Sequence, residues 1–208
     1  MVRTRNMLVM LATLCICSLF ISASVAASSV RRHDGFYLRV QSGYANIHSK
    51  ATGYSDGTEL VITGTDSLFR LDIGGALKEN LILYGTIGGA GVYEPEVRLN
   101  GVEYTASETF ALISDIGIGM TYYIMPANVY VGGTLNMTQN KLVDDDYNSL
   151  GSSDNGFGLY MNIGKEWWIS GNWGLGLAVF DYFGYVPDTG GGNIRNRVFG
   201  ILLSATFN

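Results

Sequence analysis

The chain has 208 residues, with 13 basic and 18 acidic side chains, a formal net charge of −5, and only 15 % charged residues against 47 % hydrophobic. Soluble domains usually carry charge on about a quarter of their residues, so this chain is short of solvated surface, yet its 12 % aromatic content excludes disorder. Its 28 glycines follow no three-residue period, which excludes a collagen-like rod.

Residues 1–6 carry Arg3 and Arg5 and no acid, residues 7–21 are almost wholly apolar, and small neutral residues follow. This order reads as a secretory signal peptide over residues 1–27. Ser24 with Ala26, or Val25 with Ala27, supplies the small pair that signal peptidase requires. The apolar core is short for a membrane span of about 20 residues. Cys15 and Cys17 both lie in this leader, preceded by Leu14 and Ile16 where a lipidation signal needs a small residue. The remaining chain is therefore read as free of cysteine, with no disulfide and no thiol chemistry. Losing Arg3 and Arg5 takes two of the 13 basic residues, leaving 11 against 18 acidic and a net charge of −7. An acidic balance disfavours nucleic acid as a partner.

A short lead over 28–34 precedes eight segments that alternate with a period of two, the signature of strands. The first, about 35–48, sets Phe36, Leu38, Val40 and Tyr44 against Tyr37, Arg39, Gln41 and Gly43. The second, about 66–77, sets Phe69, Leu71, Ile73 and Leu77 against Arg70, Asp72, Gly74 and Ala76. The third, about 81–93, is apolar and glycine-rich, with ambiguous faces. The fourth, about 108–125, alternates Phe110, Leu112, Ile116, Ile118, Met120 and Tyr122 with Ala111, Asp115, Gly117, Gly119 and Thr121. Segments at about 128–139, 156–169, 173–185 and 195–207 continue the pattern.

The connections alternate in length. Residues 78–80, 126–127 and 170–172 are tight turns, whereas 49–65, 94–107, 140–155 and 186–194 are long and polar. Short turns at one end and long loops at the other are the pattern of a transmembrane barrel. The second face of each strand is small as well as polar, which suits the narrow interior of eight strands. The large apolar residues then face lipid, and closure pairs every backbone group. Tyr122, Trp167, Trp168 and Trp173, with Phe36 and Phe207, are expected to form an aromatic girdle at the short-turn end. Tyr44, Phe69, Tyr93, Phe110, Phe157 and Tyr185 are expected to form the other girdle. The expected fold is all-β: an eight-stranded antiparallel up-and-down transmembrane β-barrel over 35–208.

With this architecture the chain resembles the small outer-membrane β-barrels of Gram-negative bacteria, of the OmpA and OmpX type and the wider porin-family barrels. Its most specific item is the final strand: Phe199, Ile201, Leu203, Ala205 and Phe207 look like the C-terminal signal read by the barrel-insertion machinery. Asn208 departs from that pattern, which usually ends on the aromatic. The resemblance implies insertion into the outer membrane from the periplasm, with outer-membrane lipid and lipopolysaccharide as neighbours. It does not imply one function.

Arg39, Arg70, Asp72, Asp115 and Glu166 all fall on the inner face. Isolated buried charges are costly, so these should pair: Arg39 with Asp72, Arg70 with Asp115, and Lys165 or Arg39 with Glu166. The expected result is a plug of ion pairs in the lumen, with a gated solute path as the alternative. His48, Asp66 and Ser67 near the outer rim are similar to the surface site of lipid A palmitoyltransferase barrels, though Asp and Ser are common in loops for turn reasons. Asp144, Asp145, Asp146 and Asp154 form an acidic run without the spacing of a calcium loop. Gly190, Gly191 and Gly192 lack the strand–helix context of a phosphate loop. No enzymatic activity, cofactor or metal is expected. The reading is a monomeric barrel with a structural or surface-interaction role, its four long loops meeting an extracellular partner, with a narrow porin-like channel as the alternative and a lipid-modifying outer-membrane enzyme as a remote one.

Overall fold

A computed structural model describes residues 31–208 except 147. The leader and the first residues of the lead fall outside the described residues. The described chain forms eleven strands: β1 (Phe36–Thr52), β2 (Leu60–Lys78), β3 (Leu81–Tyr93), β4 (Glu96–Leu99), β5 (Val102–Thr105), β6 (Thr109–Ile124), β7 (Val129–Asp144), β8 (Ser149–Ser152), β9 (Gly156–Trp168), β10 (Trp173–Pro187) and β11 (Asn193–Phe207). Eight of them close a ring in the order β1-β2-β3-β6-β7-β9-β10-β11, every neighbour antiparallel. The seam is the β1–β11 pairing, which runs without a break from Leu38↔Phe207 to Thr52↔Asn193. Closure leaves no edge, so the ladder satisfies the backbone all the way round.

The two faces separate as the alternation requires. On β11 Phe199, Ile201 and Leu203 point out and are 50–67 % exposed, while Val198 and Leu202 point in and are buried. Exposed apolar rows of this kind encircle the barrel, and only lipid can cover them. The glycine-rich β3 takes its face from its neighbours. Asp72↔Thr86 and Thr86↔Gly117 set Thr86 inward, and Ile82 and Tyr84 follow it.

The short-turn end is tight. Lys78 and Leu81 are joined by Glu79 and Asn80, and Asn80 takes a positive φ of 65° that Asn tolerates better than most residues. The loop end differs from expectation. Three short strands lie within segments expected to be loops, and β1, β2 and β7 run further out than their alternating segments. The β4–β5 hairpin adds to the end of β2 through Leu60↔Leu99 and Thr63↔Glu96, and β8 adds to β7. Above the membrane both faces of a strand meet polar surroundings, so no apolar alternation marks these extensions. A transmembrane strand needs only about 9–11 residues, and the 17 residues of β1 and 19 of β2 overshoot that length.

The filled lumen and the loop-walled mouth

The inner face is packed by tyrosines set against glycines. A Cβ on Gly164 would sit 2.6 Å from the Tyr130 ring, and one on Gly119 would sit 2.7 Å from the Tyr84 ring. The small inner residues thus make room for large ones from neighbouring strands. Tyr37, Tyr123, Tyr130 and Tyr160 are all at most 2 % exposed.

The five inner charges meet in one chain of contacts among these rings. Arg39 Nε donates to Asp72 Oδ2 at 3.2 Å, Nη2 donates to Thr121 Oγ1 at 3.2 Å, and Nη1 lies 3.9 Å from Glu166 Oε1. Its guanidinium lies 4.7 Å from the centre of the Tyr130 ring. Asp72 also accepts from Gln41 Nε2 at 3.2 Å and from Thr86 Oγ1 at 2.7 Å. Thr86 Oγ1 in turn accepts from Arg70 Nη2 at 3.1 Å. Arg70 Nη1 reaches both oxygens of Asp115 at 3.0 and 3.1 Å, and its guanidinium sits 4.0 Å from the centre of the Tyr160 ring. Glu166 Oε1 accepts from Tyr123 and Thr206 at 3.1 and 2.7 Å. Lys165 is not its partner: it points outward and donates to the Ala127 carbonyl at 2.5 Å. The bridging threonines, Gln41 and the inner tyrosines are what sequence reasoning left out of the network. Period two places them inward, but nothing in the sequence says which hydroxyl links which charges.

Below the charges the lead closes the barrel. His33 is fully buried, its ring stacked on Tyr123 at 3.5 Å, and its Nε2 is 2.8 Å from Asn128 Oδ1. Trp168 packs against His33 with ring centres 5.0 Å apart. Its expected place in the outer girdle is therefore corrected. Consecutive strand residues face opposite ways, and Trp167 takes the outer position, 51 % exposed. Tyr122 faces outward, and Trp173 meets Phe207 edge-on at 5.2 Å.

Beside the Arg70–Asp115 pair the interior holds a void of about 10 Å³, bordered also by Tyr160 and Val198. That is about the minimum that admits one water. At the outer mouth the barrel opens into a cavity of about 210 Å³, its walls including Ile47, Ala51, Leu60, Ile62, Ile113 and Ile194. Three loops are tied around it. Tyr54 in the first donates to Asp188 in the fourth at 2.5 Å, and Thr189 donates to the Ser152 carbonyl of the third at 3.3 Å. Gly192 is required here, because a Cβ would lie 2.7 Å from the Tyr54 ring. Burial, reinforced by the bond to Asp188, pushes the Tyr54 phenol up to about 12.

The other rim residues do not assemble. His48 and Ser67 face outward, but they pair across the β1–β2 ladder with Thr63 and Tyr44, four register steps apart. Asp66 turns inward, where Oδ2 accepts the Tyr93 amide at 3.2 Å. The acidic run serves its own turn: Asp144 accepts from the amides of Asp146 and Asn148 at 3.0 and 2.8 Å. Its bonds from Asn148 hold the Asp144 carboxyl below the usual range. Among the described residues no three acidic, histidine or cysteine side chains are grouped to hold a metal.

A family model described as outer membrane protein beta-barrel domain matches residues 13–207. The chain belongs to this family. Its members are small barrels of the Gram-negative outer membrane, which is where this barrel resides. Among solved structures, OprG from Pseudomonas aeruginosa superposes with a TM-score of 0.54 at 12 % identity, covering 86 % of this chain and 100 % of that one. Neisserial surface protein A matches at a TM-score of 0.48 and 16 % identity, covering 81 % and 95 %. The Escherichia coli outer membrane protease OmpT matches at 0.45 and 11 %, covering 88 % and 99 %. Identities this low establish a shared fold for OprG and nothing of its activity. No curated protein matches the chain in sequence.

Proposed function

We propose that this barrel is a non-conducting, non-enzymatic surface protein whose tied outer loops present the mouth cavity to an extracellular partner. One observation carries the reading: a preorganised apolar cavity at the mouth stands over an interior that side chains fill. Loops already bonded to one another lose little freedom on binding, which favours recognition. The apolar walls suit an aliphatic or aromatic group of the partner, and Lys141 and Asp188 border the cavity with opposite charges. The barrel acts as a monomer in this reading, and residues 1–27 are a leader removed on export.

Four assays test it. In a planar bilayer the purified barrel should show no stable unit conductance, whereas a channel would show regular steps. Shortening 49–65 or 140–155 should abolish partner binding while the unboiled protein still migrates as a folded barrel. The lipid A mass spectrum of cells should not change when His48 is replaced by alanine; a change would turn the reading towards a lipid-modifying enzyme. N-terminal sequencing of the outer-membrane form should begin after Ala26 or Ala27.

A further inference from the structure

The mouth cavity is on the inside of the barrel; a second feature lies on the outside, at the seam. Closure of β1 on β11 brings Lys50 opposite Arg195 and His48 opposite Arg197. All four face outward, and like charges directly opposite on one sheet face repel. Two carboxylates answer part of this charge. Lys50 Nζ is 2.7 Å from Glu59 Oε2, and Arg197 Nη2 is 3.2 Å from Asp181 Oδ2. Glu96 and Glu103 lie beyond β2 on the β4–β5 hairpin, and Glu103 is paired there with Arg98. Three permanent cations thus face two carboxylates at the seam. Arg195, which is exposed, has no hydrogen-bond or ion-pair partner among the described residues. In a chain of net negative charge this is a local excess of the opposite sign.

The height of the cluster is decided by β11. Arg197 stands ten residues above Phe207. At about 3.3 Å per residue and a tilt near 40° this is a rise of roughly 25 Å, the height of the apolar band of such barrels. Phe207 belongs to the lower girdle, so Arg197 marks the upper edge of the band and Arg195 the headgroup layer above it. Tyr185 and Phe183 pair with Arg195 and Arg197 on β10. From the four basic residues an open groove of about 640 Å³ runs across Phe183 and Leu159 to Phe157 and Leu135. A further apolar hollow over Ile118 and Met137 continues it.

A polar, positively charged head joined to an apolar furrow matches one kind of occupant. We infer that the seam is a binding site for a phosphorylated, acylated lipid of the outer leaflet. Its phosphate sits between Lys50, Arg195 and Arg197, and an acyl chain lies in the groove over Phe183 and Phe157.

The test uses the full barrel in detergent and native mass spectrometry, with bis-phosphorylated lipid A as probe. A single bound lipid per barrel is expected. Lys50→Gln with Arg195→Gln should weaken retention by about tenfold or more, since each surface cation contributes on the order of a fivefold factor towards an anionic lipid. Arg195→Lys should retain most of it, and the unboiled gel mobility of every variant confirms closure. Equal retention of dephosphorylated lipid A would overturn the phosphate assignment. Displacement by inorganic phosphate at equal concentration would make the seam a free-anion site and overturn the lipid. Unchanged retention by the double glutamine variant would remove the site from the seam.

Discussion

Arg70→Met leaves the Asp115 carboxylate, whose side chain is only 5 % exposed, without its cation. Among the described residues Arg70 is the only one that bonds to Asp115 in the lumen, through two hydrogen bonds from one nitrogen. Removing one member of a buried pair typically costs about 3–5 kcal/mol, because the remaining charge is uncompensated. The contact with Tyr160 is lost as well, worth about 0.5–2 kcal/mol. The single variant should therefore lose roughly 4–6 kcal/mol of stability, and Asp115→Leu should be comparably damaging for the mirror reason. The double variant Arg70→Met/Asp115→Leu removes both charges and should recover most of the loss, to within about 2 kcal/mol of wild type. Urea unfolding in lipid vesicles, followed by tryptophan fluorescence and by gel mobility, measures all four corners of the cycle. A cost below about 1 kcal/mol for the single variant, with no recovery in the double, would show both groups to be water-exposed and would sink the account of a filled lumen.

Three more outcomes follow from the same geometry. Arg39→Ala with Arg70→Ala should raise the leak conductance of planar bilayers, and an unchanged current would count against the ion pairs as a plug. Gly164→Ala should destabilise the barrel by about 1–3 kcal/mol through overpacking against Tyr130, read as a lower urea midpoint; a neutral result would mean that the ring can move aside. Because the folded Tyr54 phenol is raised to about 12 from an ordinary value near 10, its tie to Asp188 is fully present below about pH 10 and is lost as pH rises through about 12. The difference in ultraviolet titration between wild type and Tyr54→Phe should show a tyrosine ionising near 12, and one ionising near 10 would place the phenol in water.

Much of the barrel was legible in the chain because a strand's two faces alternate locally. Phe199 to Phe207 on β11 announce an outward apolar row without reference to any other strand, and Arg39, Asp72 and Asp115 sit inward by the same rule. The rule fails where side chains are small or where both faces see water. β3 is glycine-rich, so its inward Thr86 was decided by pairing with Asp72. The β4–β5 hairpin stands above the membrane, where no apolar row is needed. Trp168 shows a different limit: counted with its neighbour as one aromatic cluster, it belongs to the opposite face.

Composition and alternation by themselves determined the class of the fold, the number of membrane strands, the greasy outer face and the residues that line the lumen. These depend on which side of a strand a residue occupies, a property of its own segment. Only the tertiary structure decided which cation meets which carboxylate, that His33 seals the lower mouth, and that three loops tie around one cavity. It alone set Lys50 beside Arg195, two residues far apart in the chain. Those neighbours exist because the ring closes, and closure is a relation between strands that no single segment carries.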